Sequence, residues 1–176
     1  MSENNIQKDF HKPKTASEIA EEQIETGLKE HRRSNFRLFL SAFTAGLEIG
    51  FSVFLMGIIY TLFKGELSES SLHVILAISY PVGFILVLIG RSELFTEHTT
   101  LAVLPVLYKK ASIKSLLVLW GLVYTGNILG GYITGYLISI LPIDMGTISK
   151  EAIVQMAEKL VDYKTLTILG SGITAG

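Results

Sequence analysis

The stretch GRSELFTEHTTL, residues 90–101, interrupts an otherwise apolar part of the chain. SYPVGFILVLI precedes it at 79–89 and LAVLPVLY ends the apolar part at 101–108. Its ionisable side chains are Arg91, Glu93, Glu97 and His98. A charge near the bilayer centre costs at least about 2.5 kcal/mol on insertion scales, so charged residues persist there where they have a partner or a role. The stretch therefore predicts a broken membrane helix that serves as a functional site.

The composition of the chain is that of a multi-pass membrane protein. Of its 176 residues 49% are hydrophobic, and the mean hydropathy is +0.45. The absence of cysteine excludes disulfide, thiol-redox and cysteine-zinc chemistry, and the net charge of -1 argues against nucleic-acid binding. The histidines are scattered and form no set with serine and aspartate, so we expect no enzyme and no cofactor or metal.

Three apolar segments are long enough to cross a bilayer, which needs about 20 helical residues. We predict spans at 38–63 and 116–141, with a broken span between them that consists of 72–89, a pore loop at 90–98, and 99–108. The last piece reaches only about half-way across at about 1.5 Å per residue. The alternative is an ordinary surface loop between shorter spans, which leaves the apolar run before Lys109 unexplained.

Polar segments surround these spans. Residues 1–14 predict a disordered cytoplasmic tail, because they are polar and contain a proline. Thr15 and Glu18 have the spacing of a capping box, and the apolar positions that follow predict an amphipathic cytoplasmic helix over 15–31. A second charged amphipathic segment at 144–164 follows the third span.

The distribution of basic residues predicts a cytoplasmic amino terminus. Such residues lie before the first span and between the second and third, at Lys29, Arg32, Arg33, Arg37, Lys109, Lys110 and Lys114, whereas the loop between the first two spans has only Lys64. Residues 144–164 are then extracytoplasmic. The expected location is the cell membrane, as a multi-pass protein of a bacterial inner membrane.

Two hexapeptides indicate an internal repeat. SAFTAG at 41–46 and SGITAG at 171–176 share serine, threonine, alanine and glycine at matching places, and each follows an amphipathic segment. Three spans per repeat would invert the second copy in the membrane, as in many transporters whose sites are built from discontinuous helices. We therefore expect 165–176 to begin a fourth span, and the sequence to be a fragment that holds the first repeat and the start of the second.

Two motifs resemble the formate/nitrite transporter family. Glu93-Leu94-Phe95-Thr96 resembles the loop that interrupts the second helix of that family, and WGLVYTGNILGG at 120–131 resembles its third helix. The resemblance implies an all-α, aquaporin-like fold of two inverted three-helix repeats with a broken second helix. It also implies a homopentamer of full-length chains, each with a pore for small monovalent anions such as formate or nitrite.

The resemblance assigns roles to the residues of the loop. Leu94 and Phe95 would narrow the pore, and Thr96 would offer a hydroxyl to the permeating ion. Glu97 and His98 stand where formate channels carry mostly small neutral residues, and they put the anion selectivity in doubt. The central pore histidine of the family would lie beyond Gly176, and His98 does not replace it.

Two further polar groups lie in the spans. Glu48 in the first span is predicted to pair with Arg91, or else Arg91 pairs locally with Glu93 or Glu97 and Glu48 faces a cavity. Asn127 in the third span either satisfies backbone groups freed by the break, cross-links helices, or faces the permeating ion. Glycines spaced four apart predict close helix packing, at Gly46 and Gly50, Gly126 and Gly130, and Gly131 and Gly135.

The preferred function is therefore transport of small monovalent anions across the lipid bilayer, by an anion channel or a proton-coupled carrier. One alternative is a membrane scaffold or sensor that keeps the fold without transport, for which Glu97 and His98 would block the loop. Another is a transporter of a different small solute.

Overall fold

A computed structural model describes residues 13–175, apart from the side chains of residues 98, 99, 159, 160 and 175. These residues form helices and no strand, which confirms the predicted all-α class. In chain order the helices are α1 Ala16–His31, α2 Asn35–Phe63, α3 Glu69–Ser79, α4 Val82–Gly90, α5 Phe95–Leu107, α6 Ile113–Asp144, α7 Lys150–Val161 and α8 Thr165–Ala175. The predicted tail at 1–14 lies almost entirely outside the described residues.

Three helical segments are long and apolar enough to cross a membrane. They are α2, the pair α3 and α4, and α6, and each extends a little beyond its predicted bounds. At the starts of α3 and α6, N-terminal serine caps account for the residues added to the predicted spans. The hydroxyl of Ser68 accepts the N–H of Ser71 at 3.2 Å, and that of Ser112 accepts the N–H of Ser115 at 3.1 Å, so α3 and α6 begin at these polar residues.

The break in the second span is shorter than predicted. The loop at 90–98 was expected to include every ionisable residue of the opening stretch, but only residues 91–94 are non-helical and α5 begins at Phe95, not at 99. Thr96 and Glu97 belong to the first turn of α5. A carboxylate is favoured there by the unpaired N–H groups of a helix start, so the polarity of Glu97 indicates a helix terminus and not a loop.

Helices α2 and α6 approach each other closely through glycines. A Cβ on Gly130 would lie 2.2 Å from the Phe43 carbonyl oxygen, and one on Gly46 would lie 2.4 Å from the Asn127 carbonyl oxygen. Such contacts leave no room for a side chain. The predicted packing role is thus confirmed for Gly46 and Gly130, while a Cβ on Gly131 or Gly135 would meet no described atom within 4 Å.

A bend at Pro81 separates α3 from α4, and one hydroxyl of α2 bridges it. Ser52 donates to the Tyr80 carbonyl oxygen at 2.5 Å and accepts the Gly83 N–H at 2.7 Å. Proline has no N–H to continue the helical pattern, so backbone groups near it need other partners. Ser52 is 4% exposed and satisfies one group on each side of the bend.

Helix α1 packs against α5 at a second proline. Pro105 donates no N–H to the Leu101 carbonyl, and a Cβ on Gly27 of α1 would lie only 2.4 Å from that oxygen. His31, at the end of α1, has Nε2 at 2.9 Å from the Ala102 carbonyl oxygen. The N-terminal helix is therefore attached to the half-helix that follows the break.

Helix α7 packs against the opposite end of α2. The Ser149 N–H donates to Thr61 Oγ1 at 2.9 Å, and Ile148 is 1% exposed beside Gly57. Lys64 forms an ion pair with Glu151 of α7. That hydrogen-bonded carboxylate raises the pKa of the Lys64 ammonium above its usual value.

Candidate pore loop

The loop at 91–94 begins with a residue in an unfavourable backbone conformation. Arg91 ends α4 with φ 53° and ψ 40°, the left-handed region that favours glycine. The N–H of Ser92 donates to the Val87 carbonyl oxygen at 3.1 Å and closes the helix end. The chain then turns inward, since Ser92 and Glu93 are 5% and 3% exposed. A strained residue at the mouth of a buried loop is a common feature of functional sites.

Asn127 of α6 holds the backbone of this loop. Its Oδ1 accepts the N–H of Phe95 at 2.8 Å, and its Nδ2 donates to the carbonyl oxygens of Glu93 and Ala42, each at 2.8 Å. A broken helix exposes N–H and C=O groups that cost several kcal/mol each in hydrocarbon. One side chain thus satisfies two backbone groups where the loop meets α5 and fastens them to α2. Asn127 was predicted to satisfy backbone groups freed by the break, to cross-link helices, or to face the permeating ion. Its hydrogen bonds are those of the first two roles, and a direct contact with the permeating ion stays a prediction.

Arg33 is the ionic partner of the loop. Its Nη1 forms an ion pair with the carboxylate of Glu93, and the same nitrogen lies 3.1 Å from Glu30 Oε2. Burial alone would lower the pKa of the Arg33 guanidinium, but the bonds to Glu30 and Glu93 outweigh that effect and raise it. Ser41 adds a contact from α2, because its Oγ accepts the Glu93 N–H at 3.3 Å. The loop is therefore tied to the segment between α1 and α2.

The predicted pair between Glu48 and Arg91 is absent. Arg91 is exposed at the end of α4 and takes part in none of the ion pairs among the described residues, so the local alternative with Glu93 or Glu97 is absent too. The prediction was wrong because Arg91 ends α4 with an exposed side chain, whereas the Glu48 carboxylate lies against Gly90 on the inner side of that helix end. The basic residue that reaches the loop comes from the linker before α2, where Arg33 had been counted only as a sign of membrane orientation.

Leu94, Phe95 and Thr96 differ in how far their side chains are buried. The ring of Phe95 contacts Tyr124 and Trp120 edge-on, with centroid distances of 5.5 and 6.2 Å. Leu94 is half-buried, whereas Thr96 and Glu97 are exposed. The side chain of His98 lies outside the described residues. The structure thus brings Leu94, Phe95 and Asn127 together and leaves the Thr96 hydroxyl accessible beside them.

Glu48 lies beside the same loop from α2. A Cβ on Gly90 would lie 2.7 Å from Glu48 Oε1 and 3.2 Å from Ser92 Oγ, so the carboxylate occupies the space that glycine leaves at the end of α4. Its Oε2 is buried without a hydrogen-bond partner among the described residues. Within the part of the chain that the structure describes, no group of three or more histidine, aspartate or glutamate side chains could hold a metal.

The broken second helix is the feature that the resemblance to one family implies. The sequence pattern described as "Formate/nitrite transporter" matches residues 17–176. The chain belongs to the formate/nitrite transporter family. Membership of this family, predicted from the two motifs, is confirmed, and with it the all-α membrane fold. The family is one of membrane transporters and not of enzymes, and this member is a multi-pass membrane protein.

Three relatives of the formate/nitrite transporter chain are similar over most of its length. Inner membrane protein YfdC of Escherichia coli (strain K12) is 38% identical over 133 residues, 74% of this chain and 42% of the relative. Uncharacterized transporter YrhG of Bacillus subtilis (strain 168) is 34% identical over 128 residues, 72% and 46%. Formate-nitrite transporter 3 of Toxoplasma gondii (strain ATCC 50611 / Me49) is 26% identical over 125 residues, 68% and 25%. The matched part spans less than half of each relative.

Proposed function

We propose that this chain forms part of the pathway by which a formate/nitrite-type transporter moves small monovalent anions across the cell membrane. The observation that carries the proposal is the non-helical loop at 91–94, whose backbone Asn127 satisfies from α6. Irregular backbone at membrane depth is tolerated only where protein buries it or where it lines a watery cavity. Helix α5 begins directly after this loop, and the side chain of Thr96 in its first turn is exposed.

The side chains around the loop support a pathway for a partly dehydrated anion. Leu94 and Phe95 offer an apolar constriction, which disfavours hydrated cations. The exposed hydroxyl of Thr96 can donate to an anion that passes them. Glu93 adds no free negative charge at this point, because Arg33 binds its carboxylate.

The proposal extends to the assembly and the orientation of the protein. A homopentamer in a bacterial inner membrane would cover part of the exposed face of α6, where Tyr132 and Tyr136 are 75% and 67% exposed beside Gly135. Such a face, apolar with small residues, suits contact with a second helix in lipid. The amino terminus would be cytoplasmic, as the basic residues before α2 favour.

Uptake by proteoliposomes that contain the full-length protein tests this function. Formate, nitrite and acetate are offered at acidic and neutral pH, with Thr96→Val as the test variant. The matched control is Thr125→Val, because Thr125 is an exposed threonine whose hydroxyl bonds to its own helix. We expect Thr96→Val to slow uptake about tenfold or more, since a hydrogen bond to a charged group is worth about 1.5–3 kcal/mol. Thr125→Val should transport like the wild type.

The same assay separates the alternatives. Uptake that rises at acidic pH and acidifies the lumen supports a proton-coupled carrier, whereas uptake that follows the anion gradient alone supports a channel. Inertness toward all three anions in folded protein would contradict the proposal. It would favour a scaffold, a sensor or a transporter of another solute.

A further inference from the structure

A polar cavity lies where α1 ends and where α2 and α6 begin. Its volume is about 280 Å³, close to the lower limit of about 300 Å³ that is typical of small-ligand pockets. Its polar lining includes Arg33, Asn35, Ser112 and Lys114, and residues 91–94 do not line it. Because α2 and α6 are both long enough to span the membrane, their starts place the cavity at the surface of the bilayer and not at its centre.

Hydrogen bonds within the protein hold the walls of this cavity. His31 Nδ1 lies 2.8 Å from Ser115 Oγ and its Nε2 lies 2.9 Å from the Ala102 carbonyl oxygen, so the end of α1 is attached to both α6 and α5. The Ser112 hydroxyl accepts the Ser115 N–H at 3.1 Å and keeps its own proton to donate. The cavity is therefore preformed, and a ligand that enters it does not need to order its walls first.

Lys114 gives the cavity a positive charge. Glu30 also lines it, but Arg33 Nη1 lies 3.1 Å from Glu30 Oε2, so these two charges offset each other. Lys114 is exposed and takes part in none of the ion pairs among the described residues. The segments 29–37 and 109–114 together contain seven lysines and arginines and one acidic residue. This end of the protein therefore has a positive potential that attracts anions.

The rest of the cavity lining is apolar. Leu38 of α2 and Leu119 of α6 are buried there, while Val118 of α6 also lines the cavity and is 44% exposed. Leu117, the next residue along α6, is 59% exposed. A free inorganic anion gains nothing from apolar walls, because the favourable contact of an apolar surface is with another apolar group. A molecule with an anionic head and an apolar tail is complementary to both parts of the cavity.

We propose that this cavity binds the phosphate headgroup of an anionic phospholipid. Lys114 is the ionic partner of the phosphate, Asn35 and Ser112 donate hydrogen bonds to its oxygens, and the acyl chains lie along α6 at Val118. Hydrogen bonds to a charged phosphate are among the strong ones in proteins, and basic pockets between membrane helices suit lipid headgroups. The site does not depend on the proposed function, because it involves neither the loop at 91–94 nor a transported solute.

Native mass spectrometry of the full-length protein in a mild detergent tests the site by counting bound lipids. The probes are phosphatidylglycerol, which is anionic, and phosphatidylcholine with the same acyl chains, which is zwitterionic. We expect the wild type to bind phosphatidylglycerol about fivefold more tightly, since one basic residue near a lipid surface has about this effect. Lys114→Gln should lose most of this preference, and Lys114→Arg should keep it. Lys110→Gln is the matched control, because Lys110 is exposed nearby in the sequence but does not line the cavity.

A second pair of variants tests the cavity without changing any charge. Val118→Phe places a larger side chain in the cavity and should weaken the binding of phosphatidylglycerol as much as Lys114→Gln does. Leu117→Phe enlarges the exposed neighbour, which does not line the cavity, and should leave the binding unchanged. Equal effects of the two phenylalanines would show that the lipid does not occupy the cavity, and the proposal would be overturned.

The remaining outcomes also decide the assignment. If Lys110→Gln weakens the binding of phosphatidylglycerol as much as Lys114→Gln, the basic residues attract lipid without a site, and the proposal fails. If the wild type has no preference between the lipids, the lipid assignment is overturned. Inorganic phosphate that then raises the melting temperature of the wild type, but not that of Lys114→Gln, would identify a free anion as the ligand. If the preference is found in a protein that takes up none of the three anions, the lipid site stands and the proposed function fails.

Discussion

The second span is interrupted twice, and the two interruptions are stabilised in different ways. At Pro81 the chain bends, and within the described residues one hydroxyl, that of Ser52, bridges the two sides. At residues 91–94 the helix ends, and the loop is held by Asn127, Ser41 and Arg33 from three separate parts of the chain.

This difference follows from how many backbone groups each interruption leaves free. A proline bend removes one donor and displaces a few carbonyls, so a single small hydroxyl suffices. A true break creates two helix termini, each with several unpaired groups in a medium that offers no water. The loop therefore needs a side chain that both donates and accepts, which Asn127 provides. We infer that the bend is structural and that the break is maintained for function.

The largest effect is expected at Asn127. Asn127→Leu leaves the Phe95 N–H and two carbonyls without their partner, and each unsatisfied buried group costs about 1–3 kcal/mol. The free energy of unfolding in detergent micelles should fall by about 3 kcal/mol or more. Asn127→Asp keeps an acceptor for Phe95 and should lose less. An Asn127→Leu protein as stable as the Thr125→Val control would contradict the role of Asn127 as the clamp of the break.

The next effect concerns the ionic tie of the loop. Arg33→Met removes the partner of the buried Glu93 carboxylate, and breaking a buried pair on one side is strongly destabilising. Because the Arg33 side chain is 30% exposed, we expect a smaller loss of about 2 kcal/mol in the free energy of unfolding. Arg32→Met, at an exposed neighbour, should change little. If Arg91→Met lowered the free energy of unfolding as much as Arg33→Met, the assignment of Arg33 as the ionic partner of Glu93 would be contradicted.

A smaller effect is expected at the bend. Ser52→Ala removes one hydroxyl that serves two backbone groups, so the free energy of unfolding should fall by about 1–2 kcal/mol. Transport should survive, because the loop at 91–94 keeps all its contacts. Ser139→Ala is the matched control, since that exposed hydroxyl bonds, among the described residues, to the Tyr136 carbonyl of its own helix. A Ser52→Ala protein that folds normally but has lost transport would show that the bend is functional too.

The smallest effect is expected away from both interruptions, at Lys64. Its bond to Glu151 raises the pKa of the ammonium, so the stabilisation is present at neutral pH and is lost as the pH rises through the raised value. Lys64→Met should lower the melting temperature slightly at neutral pH, and this difference from the wild type should vanish at strongly alkaline pH. Lys150→Met, at the exposed lysine that begins α7 next to Glu151, is the control. If the two melting temperatures differed by the same amount at all pH values, the stabilisation by Lys64 would not be ionic.

Sequence patterns predicted the elements of the fold better than the contacts of the site. The apolar runs and the capping box at Thr15 give the helices, because both depend on residues close together in the chain. The predicted ends of the break were wrong because polar residues are typical both of a loop and of the first turn of a helix. Glu97 is an example, since it lies in the first turn of α5. Asn127 was considered for the role that its hydrogen bonds now support, because a lone amide in an apolar span requires a polar partner.

The partner of Glu93 could not be found by the same reasoning. Arg33 lies sixty residues away in the chain and outside every span, and nothing local distinguishes it from Arg32. Only the fold of α1 against α5 brings it to the loop. A long-range ion pair of this kind depends on tertiary packing, which hydropathy and spacing do not specify.

Cysteine accessibility at Thr96 tests most directly whether the break lines a solute pathway. Residues 1–176 contain no cysteine, so Thr96→Cys introduces the one thiol of this part of the chain, and any cysteine elsewhere in the full-length protein is replaced by serine. Ile85→Cys on α4, in the same background, is the control at an apolar position that is 47% exposed. A small, charged, membrane-impermeant methanethiosulfonate reagent should modify Thr96→Cys and leave Ile85→Cys unmodified, and formate or nitrite should slow the reaction. A thiol at 96 that reacts no faster than the one at 85, in folded protein, would contradict the account.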